Sequence, residues 1–465
     1  MEFLIVLASL CFLMFVAYRG YSVILFAPIA ALGAVMLTDP SLVAPMFSGL
    51  FMDKMVGFVK LYFPVFLLGA IFGKVIELSG FSKSIVASVI NLIGRERAML
   101  AIVLVCALLT YGGVSLFVVV FAVYPFAAEM FRQADIPKRL IPGTIALGAF
   151  TFTMDSLPGT PQIQNIIPTT FFKTTIYAAP YLGLIGATFI LISGLFYLNW
   201  CRRRAASASE GYGSELLNEP APFNNEKLAN PVIALLPLVM VGVMNKVFTV
   251  AIPAVYGHSV SFIPAVIGQA KPVVQTISSV AAVWSVEGAL LIGIATVFLF
   301  AWKTVIKQFS EGSKAAIAGA LLATMNTASE YGFGAVIAAL PGFLVVAQGL
   351  KSIPNPLVNE AITVTALAGI TGSASGGMGI ALAAMADTFI TNAQAVGIPM
   401  DVLHRVAAMA SGGMDTLPHN GAVITLLAVT GLTHKQSYKD IFMITCIKTA
   451  AVFVVISAFY LTGIV

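Results

Sequence analysis

Met154-Asp155-Ser156-Leu157-Pro158 returns, with one hydroxyl residue exchanged for another, as Met414-Asp415-Thr416-Leu417-Pro418. Each copy lies in an apolar stretch and carries an acid followed closely by a proline. A carboxylate is costly in hydrocarbon, so an acid there reads first as functional. A proline opposes a continuous helix, and the backbone groups it frees need new partners, water or a ligand. One such interruption in each half of the chain predicts a binding site of broken helices between two related halves, as in transporters.

The surrounding composition fits a lipid solvent. Hydrophobic residues make up 59% of the chain and charged residues 10%, against about 25% charged in soluble domains. Uncharged or nearly uncharged runs cover 3–18, 21–37, 99–128, 174–200, 361–386 and 441–465, the last holding Lys448, with shorter runs between them. At about 20 residues per crossing they predict an all-α polytopic membrane protein of about 10 to 12 transmembrane helices plus half-length segments. Glu2 stands where a signal peptide carries basic residues, so 3–18 reads as a membrane helix. The net charge of +5 is ordinary for a membrane protein with basic loops, and no nucleic-acid signature is present. Cys11, Cys106, Cys201 and Cys446 lack metal or redox spacing, and no metal or cofactor is expected.

Arg202, Arg203 and Arg204 end an apolar run and lead into a polar stretch. Residues 201–230 therefore read as a cytoplasmic linker between a first membrane repeat, 1–200, and a second, 231–465. The few loop charges place both termini outside, so each half crosses an odd number of times and the repeat is inverted. Asp135-Ile136-Pro137 before the first acid matches Gly397-Ile398-Pro399 before the second. Farther upstream, Thr110-Tyr111-Gly112-Gly113-Val114-Ser115 roughly matches Ser373-Ala374-Ser375-Gly376-Gly377-Met378.

Residues 151–165, TFTMDSLPGTPQIQN, hold two prolines and a glycine among hydroxyl and amide side chains. A helix broken here exposes backbone amides to a carboxylate. Ser156, Gly159, Thr160, Gln162 and Asn165 are candidate substrate contacts, joined by Thr416 and Asn420 from the second copy. Asn326, Thr327 and Ser329 form a third polar island suited to the tip of a re-entrant hairpin, and Ser375 and Gly376 a fourth. Gly112, Gly113 and Ser115 complete the set. The small residues of 372–377 equally suit close helix packing. Asp155 and Asp415 are the candidate proton carriers, with His419 and Glu330 behind them. The bland alternative for each aspartate is a helix cap or a buried ion pair. Lys60, Lys74, Glu77, Asp387 and Arg405 read as interfacial or snorkelling.

The segments 110–127, 134–168 and 410–427 give the chain a resemblance to the gluconate permease (GntP-type) family of the ion transporter superfamily, extending over essentially its whole length. That resemblance implies secondary uptake of a small organic anion, such as gluconate or 3-hydroxybutyrate, across a bacterial inner membrane. Proton symport is the coupling it implies, in a homodimer with elevator-type motion. A sodium-dependent branch of the superfamily uses paired Ser-Asn-Thr hairpin tips and Thr-Pro turns. Asn326-Thr327 and Thr160-Pro161 resemble parts of that pattern, but Met325 replaces the serine and Pro418 lacks a preceding threonine, which favours H+ over Na+. A di- or tricarboxylate substrate is the alternative within the class. An intramembrane aspartyl enzyme is a remote one, because Met414 separates Gly412-Gly413 from the acid. A passive channel accounts less well for two inverted, broken halves.

Overall fold

The computed structural model describes every residue except 1, 20, 95–96, 115, 214–216, 221–227, 264–271, 344–348, 350–352 and 419. Sixteen helices organise the described chain: α1 (Glu2–Tyr18), α2 (Val23–Thr38), α3 (Met52–Leu78), α4 (Phe81–Ile93), α5 (Ala98–Tyr111), α6 (Leu116–Gln133), α7 (Ile141–Ala149), α8 (Ile163–Phe172), α9 (Pro180–Ser207), α10 (Pro231–Tyr256), α11 (Ala281–Ala339), α12 (Pro356–Thr371), α13 (Ala374–Ala395), α14 (Met400–Ser411), α15 (Gly421–Thr430) and α16 (His434–Thr462). Short 3₁₀, π and single α-turns join some of them, and one small antiparallel hairpin pairs Ser259–Phe262 with Val273–Thr276. The chain is an all-α polytopic membrane protein.

Among the described residues, five helical stretches are long and apolar enough to cross a bilayer: Pro40–Leu78, Pro180–Ser207, Pro231–Tyr256, Ala281–Ala339 and His434–Thr462. α11 runs to 59 residues and is divided at Ala301, whose backbone is non-helical. At 1.5 Å per residue it is roughly 88 Å long, far more than the ~30 Å hydrocarbon core. The other helices run from 10-residue and shorter pieces beside the breaks, such as α7, α8 and α15, to the 22 residues of α13.

Two halves of matching element order account for these pieces. α5, α6, α7, α8 and α9 correspond in order to α12, α13, α14, α15 and α16. The duplicated Met-Asp-Ser/Thr-Leu-Pro phrase occupies the break between α7 and α8 in one half and between α14 and α15 in the other. The turn holding Ile136-Pro137 precedes α7, and Ile398-Pro399 precedes α14. The glycine pairs do not superimpose: Gly112-Gly113 follow α5 as a break, whereas Gly376-Gly377 lie inside the first turn of α13.

Local chemistry sets the helix starts. Asn230 and Asn355 cap α10 and α12, each with proline at the first helical position. Ser373 caps α13, Asn420 caps α15, and Thr433 with Gln436 forms a capping box on α16. α3, α10 and α11 pack on one another, with α1 and α2 alongside, while α9 and α16 pack together around the broken segments. α9 continues to Ser207, past the three arginines, so the polar stretch leaves the helix seven residues later than 201.

Candidate functional site

The break after α7 is shaped by its prolines and by Gly159, whose φ of +83° is open to glycine at little cost. Tyr177 and the Tyr111 hydroxyl press against Gly159, and the Tyr111 hydroxyl donates to the Pro158 carbonyl at 2.8 Å. Thr160 donates to the Thr153 carbonyl at 2.7 Å. Asn165 donates to the carbonyls of Thr160 (3.0 Å) and Ile176 (2.8 Å). Gln162 donates to the Thr110 carbonyl at the end of α5. In the second half Asn420 does the same, donating to the Gly372 carbonyl at the end of α12 at 2.7 Å. Each break is thus tied by an amide side chain to the helix two elements upstream.

The acids lie where the halves meet, both buried. Asp155 accepts from Ser156 Oγ at 2.7 Å through Oδ1, while its Oδ2 has no hydrogen-bond partner among the described residues. That oxygen faces Gly412, just upstream of the second acid, and a Cβ at 412 would collide with it. Asp415 pairs through Oδ1 with Lys448 of α16. Lys448 also donates to the Phe150 carbonyl of the first half at 3.0 Å. Thr416 shares a hydroxyl–hydroxyl bond with Thr445, and its carbonyl accepts from Tyr438 at 3.1 Å.

Arg405 of α14, expected at an interface, is instead fully buried. Its guanidinium spans the first break, donating to the carbonyls of Asp155 (2.9 Å) and Ala178 (2.8 Å) and to Asn165 Oδ1 (3.1 Å). Its neighbour His404 bonds Thr174 Oγ1 through Nδ1 (2.6 Å) and Asn165 Oδ1 through Nε2 (3.1 Å). Burying a cation this deeply requires such satisfied geometry. Hydropathy alone does not distinguish a buried arginine from a snorkelling one, so Arg405 and Lys448 were the residues sequence reasoning missed here. The signal was their position: Arg405 lies ten residues before the second acid, and Lys448 interrupts a long apolar run.

The remaining candidates form a second cluster. Asn326, Thr327, Ser329 and Glu330 lie inside α11, in continuous helix and not at a hairpin tip; no proline interrupts 315–339. Glu330 is buried against Gly376, which Ser373 Oγ also approaches. Thr327 Oγ1 lies 3.3 Å from Ser375 Oγ, while Ser329 Oγ and Glu330 Oε2 have no partner among the described residues. Gly376 thus sits beside an acid, and Gly377 beside the Ala368 backbone, a close helix crossing. Gly112 packs on Leu238 of α10, and Gly113 on Pro161 of the first break. Ser115 and His419 lie outside the described residues. Lys74 and Glu77 form a partly exposed ion pair.

The comparisons add kinship to this geometry. No family model matches the chain. It is 62% identical over 474 aligned positions, the whole of both chains, to an uncharacterized transporter, YxjC, of Bacillus subtilis. An uncharacterized transporter of Haemophilus influenzae is 27% identical over 172 residues, 37% of this chain and 40% of that one. Among solved structures, the Alcanivorax borkumensis YdaH transporter, of unusual topology, shares the fold at a TM-score of 0.56 and 12% identity, over 89% of this chain and 88% of that one. Neisseria gonorrhoeae MtrF, described with a class of antimetabolite efflux pumps, does so at 0.51 and 13% identity, over 88% and 82%. Two broken halves of matching element order, with their acids and bases buried together, in a chain 62% identical from end to end to an uncharacterized transporter, place this protein in the membrane transporter family of Bacillus subtilis YxjC.

Proposed function

We propose that the protein is a proton-coupled symporter of small hydroxy-monocarboxylates of the gluconate and 3-hydroxybutyrate kind, related to the gluconate permeases. We further propose that it works as a homodimer in a bacterial inner membrane, by elevator-type alternating access. One observation carries the reading. The duplicated breaks, one from each half, meet around two buried acids, with Lys448 bridging Asp415 and the Phe150 carbonyl of the opposite half.

The chemistry follows from charge balance. An anionic substrate is repelled by an ionised acid and attracted by a free ammonium. Protonating Asp415 breaks its pair with Lys448 and leaves the ammonium for the substrate carboxylate. The proton and the anion then travel together, and an empty site recloses the Lys448–Asp415 pair. Asp155, whose Oδ2 beside Gly412 is unpartnered among the described residues, is the second acid that this cycle uses. Thr160 and Asn165 are occupied by backbone and side-chain bonds, so they shape the pocket and bind substrate only by exchanging those partners. The island at 326–330, continuous helix in this structure, does not form the hairpin tip of a sodium site, which favours protons.

One feature argues against a dyad enzyme. The acids share no hydrogen bond, since Asp155 turns Oδ1 to Ser156 and Asp415 turns Oδ1 to Lys448. An aspartyl dyad instead shares one proton between adjacent carboxyls. Uptake of radiolabelled 3-hydroxybutyrate and gluconate into proteoliposomes tests the proposal, first under a pH gradient and then under a sodium gradient. Accumulation driven by inward protons is expected. Accumulation driven by sodium alone would overturn the coupling, and transport of neither acid would overturn the substrate class.

A further inference from the structure

Glu360 is a buried acid that the two breaks do not use. It is the fifth residue of α12, is 0% exposed, and neither carboxyl oxygen has a hydrogen-bond partner among the described residues. An unpaired charge is not retained in such a place without large cost, whereas a carboxylic acid that holds a proton is. Four helices pack against α12, and each brings titratable groups. On α14, His404 and Arg405 are spent on the first break, and Asp401 stands a turn earlier. On α16, Lys448 is paired with Asp415, and the Tyr460 hydroxyl donates to Asn355. α13 carries Asp387 and α1 carries Glu2.

The repeat provides an internal control. Aligned from their first or from their last residues, α5 and α12 place an apolar residue, Ile102 or Leu100, opposite Glu360. The fold therefore accommodates an apolar side chain at this position, and the acid is not a requirement of packing.

An opening lies at the start of the same helix. Pro356, one turn before Glu360, lines an open pocket of about 560 Å³ with Asn355, Gly397, Ile398 and Tyr460. In the other half the equivalent place, beside the Asp135-Ile136-Pro137 turn, is covered by the polar segment after α9. Tyr212 N–H donates to Asp135 Oδ1 at 3.0 Å, Lys138 N–H donates to the Tyr212 carbonyl at 3.2 Å, and Arg139 forms two bonds with Glu210. One turn is thus strapped by the polar segment, while its counterpart lines an open pocket.

We propose that Glu360 is a proton-exchange site reached through the pocket at the start of α12, a coupling residue distinct from Asp155 and Asp415. It rests on the reading of the protein as a proton-coupled carrier. The step is a proton transfer: the carboxyl O–H gives its proton to water in the pocket when the opening widens, and takes one back when it closes.

The test uses the full-length protein in liposomes, wild type against Glu360→Gln and Glu360→Ile. The isoleucine variant carries an apolar side chain, as the other repeat does here, and controls for folding. Infrared difference spectra between acid and alkaline buffer, in H2O and in D2O, are expected to show an exchangeable protonated-carboxyl band that both variants lack. Uptake of radiolabelled 3-hydroxybutyrate and gluconate is expected to lose its response to a pH gradient in both variants, while exchange of internal for external substrate persists. Unchanged spectra and unchanged pH-driven uptake in variants that fold would overturn the proposal. The infrared result stands apart from the substrate. If wild type transports neither acid, the substrate reading fails, and the band still decides the role of Glu360.

Discussion

Lys448 is the residue on which the second break depends. It joins Asp415 to the Phe150 carbonyl of the other half from a position 2% exposed. Removing one partner of a buried ion pair strands the other charge and costs about 3–5 kcal/mol. Lys448→Met is therefore expected to lower the unfolding temperature of the purified protein markedly. Lys448→Met combined with Asp415→Leu is expected to recover much of that loss, because both charges are gone. Equal instability of the double variant would mean that the pair does not hold the break together. At this scale the sequence was most informative about the acids and least about the bases. Asp155 and Asp415 announced themselves by repetition inside apolar sequence. Arg405 did not, because a long basic side chain near a run boundary looks the same whether it snorkels outward or folds inward. Glu360 escaped notice for a related reason. It stands immediately before the apolar run 361–386 and looks like that run's boundary, yet α12 begins at Pro356 and carries it inside.

At the scale of elements, helices around the breaks are held by close crossings. Gly377 in the first turn of α13 lies against the Ala368 backbone of α12. Backbone does not yield as a side-chain tip does, and overpacking of this kind costs about 1–3 kcal/mol. Gly377→Ala is expected to lower thermal stability by that order, checked by fluorescence-monitored unfolding in detergent. A neutral result would show that the crossing opens without cost. The element order was legible where proline and glycine punctuate it, as at 136–137, 158–161, 398–399 and 418. It was illegible in α11. There Asn326-Thr327-Ala328-Ser329-Glu330 has the composition of a loop, yet it forms helix because nothing in it opposes helix and α13 supplies Ser375 as a partner. Local polarity predicts an encounter with another polar group. It does not say whether the backbone must turn to make it.

At the scale of the whole molecule, the polar segment between the repeats acts as a tie as well as a spacer. Lys138 donates to the Leu217 carbonyl at 2.6 Å and pairs with Glu219 at 2.7 Å, and Asn218 donates to the Ala428 carbonyl at the end of α15. Arg132 pairs with the same glutamate. Partial burial opposes ionisation of Glu219, but its bonds from Lys138 and Arg132 outweigh that and hold its carboxyl below the usual range. A lowered folded pKa stabilises above the unfolded value, and the stabilisation is lost as pH falls through the folded one. Hydrogen exchange of the backbone at 208–213 and 217–220, corrected for intrinsic rate, is expected to quicken as the buffer passes below the ordinary carboxylate range. Glu219→Gln is expected to show the quicker exchange already at neutral pH. Identical profiles for both proteins would place the hold on the strap elsewhere.

The reach of Arg405 also bears on how the protein is made. The guanidinium that closes the first break comes from 240 residues beyond Asn165. At about 5–20 residues per second, the ribosome delivers it roughly 12–48 s after the segment it completes. Throughout that interval the carbonyls of Asp155 and Ala178 and the amide oxygen of Asn165 wait in the membrane for their donor. A nascent chain halted before codon 405 therefore presents unfinished polar surface to the insertion machinery and to membrane proteases, and the first half matures only once the second has been synthesised.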